Sequence, residues 1–153
     1  MSDLTSLVET SRVFALNESV AGSHSHLWSG DRTNAVVSDA DATLIIFVPF
    51  REPVRLSAII IDAPPATSPT SVRLYVNQKV GFDDIDSTEP NAFILVGEGD
   101  LGQPIKVRPV KFNSVNELFI FVERVDAAHV SLSKLAFIGV AVQGTDGAKI
   151  QKC

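Results

Sequence analysis

Apolar positions along this chain follow a strand periodicity almost throughout. Leu44-Ile45-Ile46-Phe47-Val48 is a short, continuous apolar run rich in branched residues, the pattern of a strand buried on both faces. Val54, Leu56 and Ala58 alternate with polar or small neighbours before the block Ile59-Ile60-Ile61. Val72, Leu74 and Val76 alternate with Ser71, Arg73 and Tyr75, which predicts a strand with one wet face. Residues 92–96, 105–112, 118–123 and 130–142 predict further strands, and 35–38 adds a fainter one, about seven or eight in all. Only 4–16, where Leu4, Leu7 and Val8 keep helical spacing, suggests a helix.

Turn chemistry separates these segments. Pro49-Phe50-Arg51-Glu52-Pro53 predicts a tight connection, because each proline removes a donor and fixes its backbone angle. Residues 63–70, with three prolines, predict an exposed loop. Residues 83–91 are polar and acidic, with room for one helical turn, and 97–104 is a glycine-rich connection. Many short strands, long loops and no alternation of strand with helix imply an all-β sandwich or barrel, for which a jelly-roll is the natural eight-strand solution. One domain over residues 1–142 is expected, followed by a polar, glycine-containing tail over 143–153 that should fray.

Composition narrows the function classes. A domain of 153 residues with 45% hydrophobic residues can bury roughly 68–70% of its unfolded surface without staples. The single cysteine, Cys153, is the last residue, so no internal disulfide, CxxC pair or prenylation box is present. The start of the chain carries no secretory pattern, and no segment approaches the ~20 apolar residues of a membrane helix. The expectation is a protein of a reducing compartment, cytosol or nucleus. Thirteen Lys and Arg face eighteen carboxylates, for a net charge of −5, which argues against a nucleic-acid partner.

Candidate chemistry is thin. Gly97-Glu98-Gly99-Asp100-Leu101-Gly102 matches GxGxxG, but Gln103-Pro104-Ile105 returns to strand where a helix is required, and the carboxylates of Glu98 and Asp100 would repel phosphate. A hairpin loop is the simpler reading, and the P-loop spacing fails because Lys and Ser/Thr are missing. His24-Ser25-His26 has the spacing of metal ligands on one face of a strand, yet the only other histidine is His129, so surface-loop histidines are expected. Asp39-Ala40-Asp41 and Asp83-Asp84-Ile85-Asp86 could offer oxygens to calcium, but neither contains the glycine and glutamate of an EF-hand, and turn chemistry is the plainer account. No Gly-x-Ser-x-Gly elbow exists. Asn17-Glu18-Ser19 is a glycosylation sequon without a secretory signal to expose it. Trp28, the only tryptophan, is expected in the core or at an edge, with stacking on a sugar as the alternative.

Several stretches together carry a family resemblance. They are Leu16-Asn17-Glu18-Ser19; Ser38-Asp39-Ala40-Asp41-Ala42-Thr43-Leu44-Ile45-Ile46-Phe47-Val48-Pro49-Phe50-Arg51-Glu52-Pro53-Val54-Arg55-Leu56; Val72-Arg73-Leu74-Tyr75-Val76-Asn77; Phe82-Asp83-Asp84; Val110-Lys111-Phe112-Asn113-Ser114-Val115-Asn116-Glu117-Leu118-Phe119-Ile120-Phe121-Val122-Glu123; and Leu135-Ala136-Phe137-Ile138-Gly139. In this order and spacing, from about residue 4 to residue 140, the chain resembles the PITH domain, named for a proteasome-interacting thioredoxin-like protein that carries it C-terminally. The resemblance implies a jelly-roll β-sandwich of the galactose-binding-like type. It also implies a docking module, in some members for the regulatory particle of the proteasome. Two departures stand out: Ala42-Thr43 replaces the acidic-amide pair expected after Asp41, and Ala15 stands where the family often has cysteine. These residues hold no CxxC, so the expectation is a stand-alone member without the thioredoxin module, to which no redox activity transfers, and the family supplies no catalytic motif and no cofactor.

The reading is therefore a non-enzymatic protein-interaction module, with the 83–91 loop, the 63–70 loop and the tail as contact elements. Asp83, Asp84 and Asp86 are the candidate partner-binding residues. The alternative, from another class, is a small-molecule or carbohydrate-binding jelly-roll, with calcium as an optional ligand and Trp28 or the Asp39/Asp41 pair beside it. Their discriminator is ligand-induced thermal stabilisation against capture of a protein partner.

Overall fold

The computed structural model describes residues 2–28 and 32–142. Residues 143–153, expected to form a flexible tail, lie outside the described residues, as does Cys153. The described residues form ten strands: β1 (Ser2–Asp3), β2 (Phe14–Leu16), β3 (Val36–Val37), β4 (Thr43–Asp62), β5 (Ser71–Val76), β6 (Ala92–Leu95), β7 (Pro104–Lys106), β8 (Val115–Glu123), β9 (Ser131–Leu132) and β10 (Lys134–Ala141). The only helical pieces among the described residues are 3-10 turns, and none is long and apolar enough to cross a membrane.

The 20-residue strand β4 organises the fold. Its first half pairs antiparallel with β2 and β8, in the register Phe14↔Phe47↔Phe119. Its second half pairs antiparallel with β10 and β7, in the register Phe137↔Ile59↔Ile105. One sheet therefore runs β2-β4-β8-β5-β6 and the other β1-β10-β4-β7, with β4 passing from one to the other. Inward residues of both (Leu44, Ile46, Leu74 and Ile120 from the first; Ile59 and Phe137 from the second) pack into one buried core. The small ladder β3-β9 lies off this path.

Residues 49–53, predicted as a tight connection, instead continue as strand. The ladder with β8 breaks register between Pro49 and Val54, so the prolines sit where a missing donor leaves the ladder intact. The helix predicted over 4–16 is also absent: 3-10 turns span Thr5–Leu7 and Thr10–Arg12, and β2 follows. Leu4, Val8 and Val13 are nonetheless buried, so the apolar spacing was core-facing without being helical. The predicted strand 105–112 ends at Lys106, because Pro109 opens a 3-10 turn, Pro109–Lys111. Residues 130–142 divide at Ser133 into β9 and β10. The 63–70 loop is irregular as expected but not wholly exposed, since Ala63, Ser68 and Pro69 are buried. Its backbone is gripped by Arg124 Nη1, which donates to the Ser68 carbonyl at 2.7 Å, and by Ser131 N–H, which donates to that of Thr67 at 2.8 Å.

The outer face of the first sheet departs most from expectation. Tyr75, assigned to a wet face, is fully buried. It joins Ile45, Phe47, Val80, Ile85, Phe119 and Phe121 in a second apolar cluster, where the loop after β5 folds back over the sheet. This sheet is thus apolar on both faces, as the unbroken run Leu44–Val48 implied.

Glu18 locks the entry to the 3-10 turn Ser23–Trp28. Its carboxylate accepts from His24 N–H and Ser23 Oγ at 3.1 Å each and from Gly22 N–H at 3.3 Å, and His24 Nδ1 lies 3.2 Å from both oxygens. Burial pulls the Glu18 pKa upward, but the bonds from His24 and Gly22 outweigh it and hold the group below the ordinary glutamate value. A carboxyl lowered on folding stabilises above its unfolded value and loses that contribution as pH falls through its folded value. Glu18→Gln should cost about 1 kcal/mol at pH 7, and the gap to wild type should close on acidification toward pH 3. Melting curves between pH 7 and pH 3 check this. A gap that stays constant over that range would show that ionisation of Glu18 is irrelevant.

Candidate functional site

A cleft of about 460 Å³ lies on the outer face of the first sheet, between the loops around residues 38–43 and 81–88. Its floor comes from facing strands. Phe121 on β8 stands opposite Arg73 on β5, and Arg73 stands opposite Phe93 on β6. The Arg73 guanidinium lies 5.3 Å from the Phe121 ring centre and 5.7 Å from that of Phe93, so the cation is held between two π-faces. Its Nη1 donates to the Ile85 carbonyl at 3.4 Å and lies 3.7 Å from Asp86 Oδ1. Phe82 meets Phe121 edge to face at 6.4 Å and remains 40% exposed.

The opposite wall is built by Asn17. This residue adopts φ +76°, a conformation that asparagine tolerates better than most side chains. Its Nδ2 donates to Asp41 Oδ1 at 3.0 Å and to the Thr43 carbonyl at 2.8 Å, while its Oδ1 accepts from Ala40 N–H at 3.1 Å. Thr43 Oγ1 also donates to Asp41 Oδ1, at 2.6 Å. The Asp39–Asp41 loop is a bend, held by side-chain bonds from Asn17 and Thr43 rather than by its own carboxylates capping nearby amides as the turn reading expected, with Asp41 on the cleft wall. Asn17, noticed in the sequence as a sequon and within a family stretch, is spent on structure.

Of the three predicted partner-binding carboxylates, the cleft takes only Asp86, whose side chain is 94% exposed. Asp84 caps its own turn, with Oδ2 accepting from Gly81 N–H at 3.1 Å, and Asp83 points to solvent outside the lining. The sequence showed Asp41 and Asp86 as separate acidic pieces; the structure places them, with Glu123, around one hollow. Arg73, Phe82, Phe121 and Glu123 were not singled out, and they become visible only once strand register is known. The one hint was an arginine in the middle of an otherwise apolar strand.

The remaining candidates lie elsewhere. His24 and His26 sit in a 3-10 turn, where three residues per turn send positions two apart to different sides, so the strand-face geometry does not hold. His129 Nδ1 bonds the Ser38 carbonyl at 2.9 Å. Among the described residues no three His, Cys, Asp or Glu side chains converge at metal-binding distance. Trp28 packs against the main core and is not part of the cleft. The GxGxxG segment holds a 3-10 turn, Glu98–Asp100, with Asp100 Oδ2 accepting from Gly97 N–H at 2.8 Å. It is not a hairpin, because β6 pairs with β5 while β7 pairs with β4, so the segment crosses between sheets. The cleft lining contains no His, Cys or Lys. What it offers is carboxylates beside the part-exposed ring of Phe82 and the buried one of Phe121, a surface suited to a cation or a hydroxyl-rich group.

The chain matches the family model described as PITH domain over residues 1–152. It is 29% identical to thioredoxin-like protein 1 of Schizosaccharomyces pombe, across 99% of this chain and 56% of that protein. It is 30% identical to PITH domain-containing protein 1 of Homo sapiens, across 91% of this chain and 68% of that protein. The chain thus spans about half to two-thirds of the length of these relatives. Among solved structures it is similar to a family 32 carbohydrate-binding module from Clostridium perfringens in complex with galactose. The TM-score is 0.64 at 15% identity, covering 89% of this chain and 97% of the other. It is also similar to the C-terminal domain of a chitobiase from Bacteroides fragilis, with TM-score 0.63 and 13% identity, covering 92% and 99%. At these identities the likeness is one of fold, the galactose-binding-like jelly-roll.

Proposed function

The chain belongs to the PITH domain family, and from that premise we propose that it is a non-catalytic module docking a protein partner on the outer face of its first sheet. One observation carries the reading: large apolar side chains stay exposed around a charged cleft. Phe14 is 38%, Phe82 40%, Phe93 56% and Leu95 74% exposed on or beside the face that holds Asp41, Asp86 and Glu123. Aromatic anchors framed by charge are the usual make-up of a recognition surface. The partner it fits presents a lysine or arginine flanked by apolar side chains, the cation entering between Asp41 and Asp86. The resemblance stated above extends the proposal to the regulatory particle of the proteasome as that partner.

The test uses purified regulatory particle and the tagged chain at two salt concentrations. Asp83→Asn with Asp86→Asn spares the Asp84 turn cap and should lower capture roughly three- to tenfold, with an unchanged melting temperature, because both side chains are exposed. Equal capture by the double variant would remove this loop from the interface, and no capture by wild type would remove the regulatory particle.

The cleft volume also lies within the range of small-ligand sites, and a solved neighbour of this fold holds galactose, which favours a sugar-binding second reading. A sugar at 100 times its dissociation constant would add about 2.7 kcal/mol of stability, and a thermal-shift screen with and without calcium would show it.

A further inference from the structure

β6 is the outermost strand of the first sheet, paired with β5 and with no strand beyond it among the described residues. Val96 N–H donates to the Thr70 carbonyl at 2.9 Å, which sets the phase of that ladder. Ala92 and Ile94 therefore turn their backbone groups toward β5, and Phe93 and Leu95 turn theirs to the open edge. Soluble proteins blunt such edges with proline, lysine or a bulge. The run Ala92-Phe93-Ile94-Leu95-Val96 contains none of these, and its two outward-facing side chains, Phe93 and Leu95, are more than half exposed.

A groove follows this edge. Two hollows of about 490 and 360 Å³ share Glu89, Pro90, Asn91 and Lys111, and together they run along β6 and round its start. The far wall runs from the end of β7 into the segment after it and carries Lys106, Arg108 and Lys111. Three of the thirteen Lys and Arg of an acidic chain thus fall within six residues. The wall is anchored from below: Val107 and Phe112 are buried, Val107 N–H donates to the Ser57 carbonyl at 3.0 Å, and Leu56 N–H donates to that of Phe112 at 2.9 Å. All three cations are exposed, and among the described residues none has a carboxylate within 4 Å. Glu89 is the only acid of the groove.

We propose that this groove receives an extended segment of a partner protein as an added strand on β6, with acidic and apolar residues alternating along it. Its backbone pairs with the open groups of Phe93 and Leu95. Because successive side chains of a strand face opposite sides, every second residue turns toward the cationic wall and the others lie beside Phe93 and Leu95. Charge selects the occupant. A second copy paired edge to edge across a two-fold axis would bring the same three cations against each other, whereas alternating carboxylates neutralise them. This groove adjoins the carboxylate-lined cleft, with Phe93 and Leu95 lying between the two, and its charged wall has the opposite sign.

The test is fluorescence anisotropy of the full chain with a labelled octapeptide of alternating valine and glutamate. Comparison peptides carry lysine for glutamate, or N-methyl groups at alternate amides. The acidic peptide should bind, the lysine peptide should not, and N-methylation on the pairing side should abolish binding. The Lys106→Gln, Arg108→Gln, Lys111→Gln triple variant should weaken binding about tenfold and flatten its salt dependence. Leu95→Pro should abolish it while melting near wild type, since that N–H faces outward and proline there removes no bond to β5. Binding indifferent to N-methylation, binding unchanged in the triple variant, or no binding of the acidic peptide would each overturn the proposal. So would a dimer in sedimentation that Leu95→Pro dissolves, which would assign the edge to a second copy.

Discussion

Gly139→Ala is expected to cost about 3–4 kcal/mol, near the top of the range for overpacking a strand interface. Gly139 follows a register shift in β10, where Ile138 pairs with Ala58 but Gly139 with Leu56. The extra residue on β4 draws the two backbones together at this point. A Cβ added to Gly139 would sit 1.8 Å from the Arg55 carbonyl oxygen, 2.9 Å from its carbon and 3.1 Å from Leu56 Cα. These are backbone atoms of a paired strand and cannot rotate aside, so β10 would have to lift from β4 and take Leu135 and Phe137 out of the core. At this chain length the loss should read as roughly 6–15 °C in melting temperature. Gly99→Ala is the control, since nothing lies within 4 Å of its added Cβ. If Gly139→Ala melts within 2 °C of wild type, the close approach of β10 to β4 is wrong.

Phe112→Ala should be comparably damaging, at about 3–5 kcal/mol. The ring is among the largest fully buried side chains, yet it belongs to no strand. It follows the 3-10 turn Pro109–Lys111 and pins the basic segment to the core, while its carbonyl takes the Leu56 N–H. Removing it leaves a ring-sized cavity and frees the wall that carries Arg108 and Lys111. Phe112→Leu should recover more than half of the loss, because it refills most of the volume. Chemical denaturation of both variants measures this, and a cost below about 1 kcal/mol for Phe112→Ala would mean that the segment is held by other contacts.

Much of the architecture is legible in the chain. The unbroken run Leu44–Val48 correctly implied a strand buried on both faces, because only side chains that never meet water can be apolar at every position. Alternation in Val72, Leu74 and Val76 placed β5, and the ordered set of motifs pointed to the family. Local chemistry misled where long-range packing overruled it. The prolines at 49 and 53 read as a turn, but they fall at a register break where β4 moves from one sheet to the other. Tyr75 read as solvent-facing by alternation, and a loop reaching back from Val80 and Ile85 covers it.

The candidate sites divide the same way. Asp41, Asp86 and the segment Lys106–Lys111 are visible as charged pieces, but the loop around Asp41 is held by Asn17 from a distant segment rather than by its own turn chemistry. That Asp41 and Asp86 share a cleft, with Arg73 held between Phe93 and Phe121, depends on pairings between residues tens of positions apart. The sequence by itself determined the strand-forming pattern, the apolar inventory of the core and the family, since each is a property of local order along the chain. Only the tertiary structure decided, among the described residues, which strand became the open edge, which acids met and which cations stayed unpaired. Those outcomes follow from the register between distant strands, and period-two patterning constrains which face a side chain takes but not which neighbour it meets.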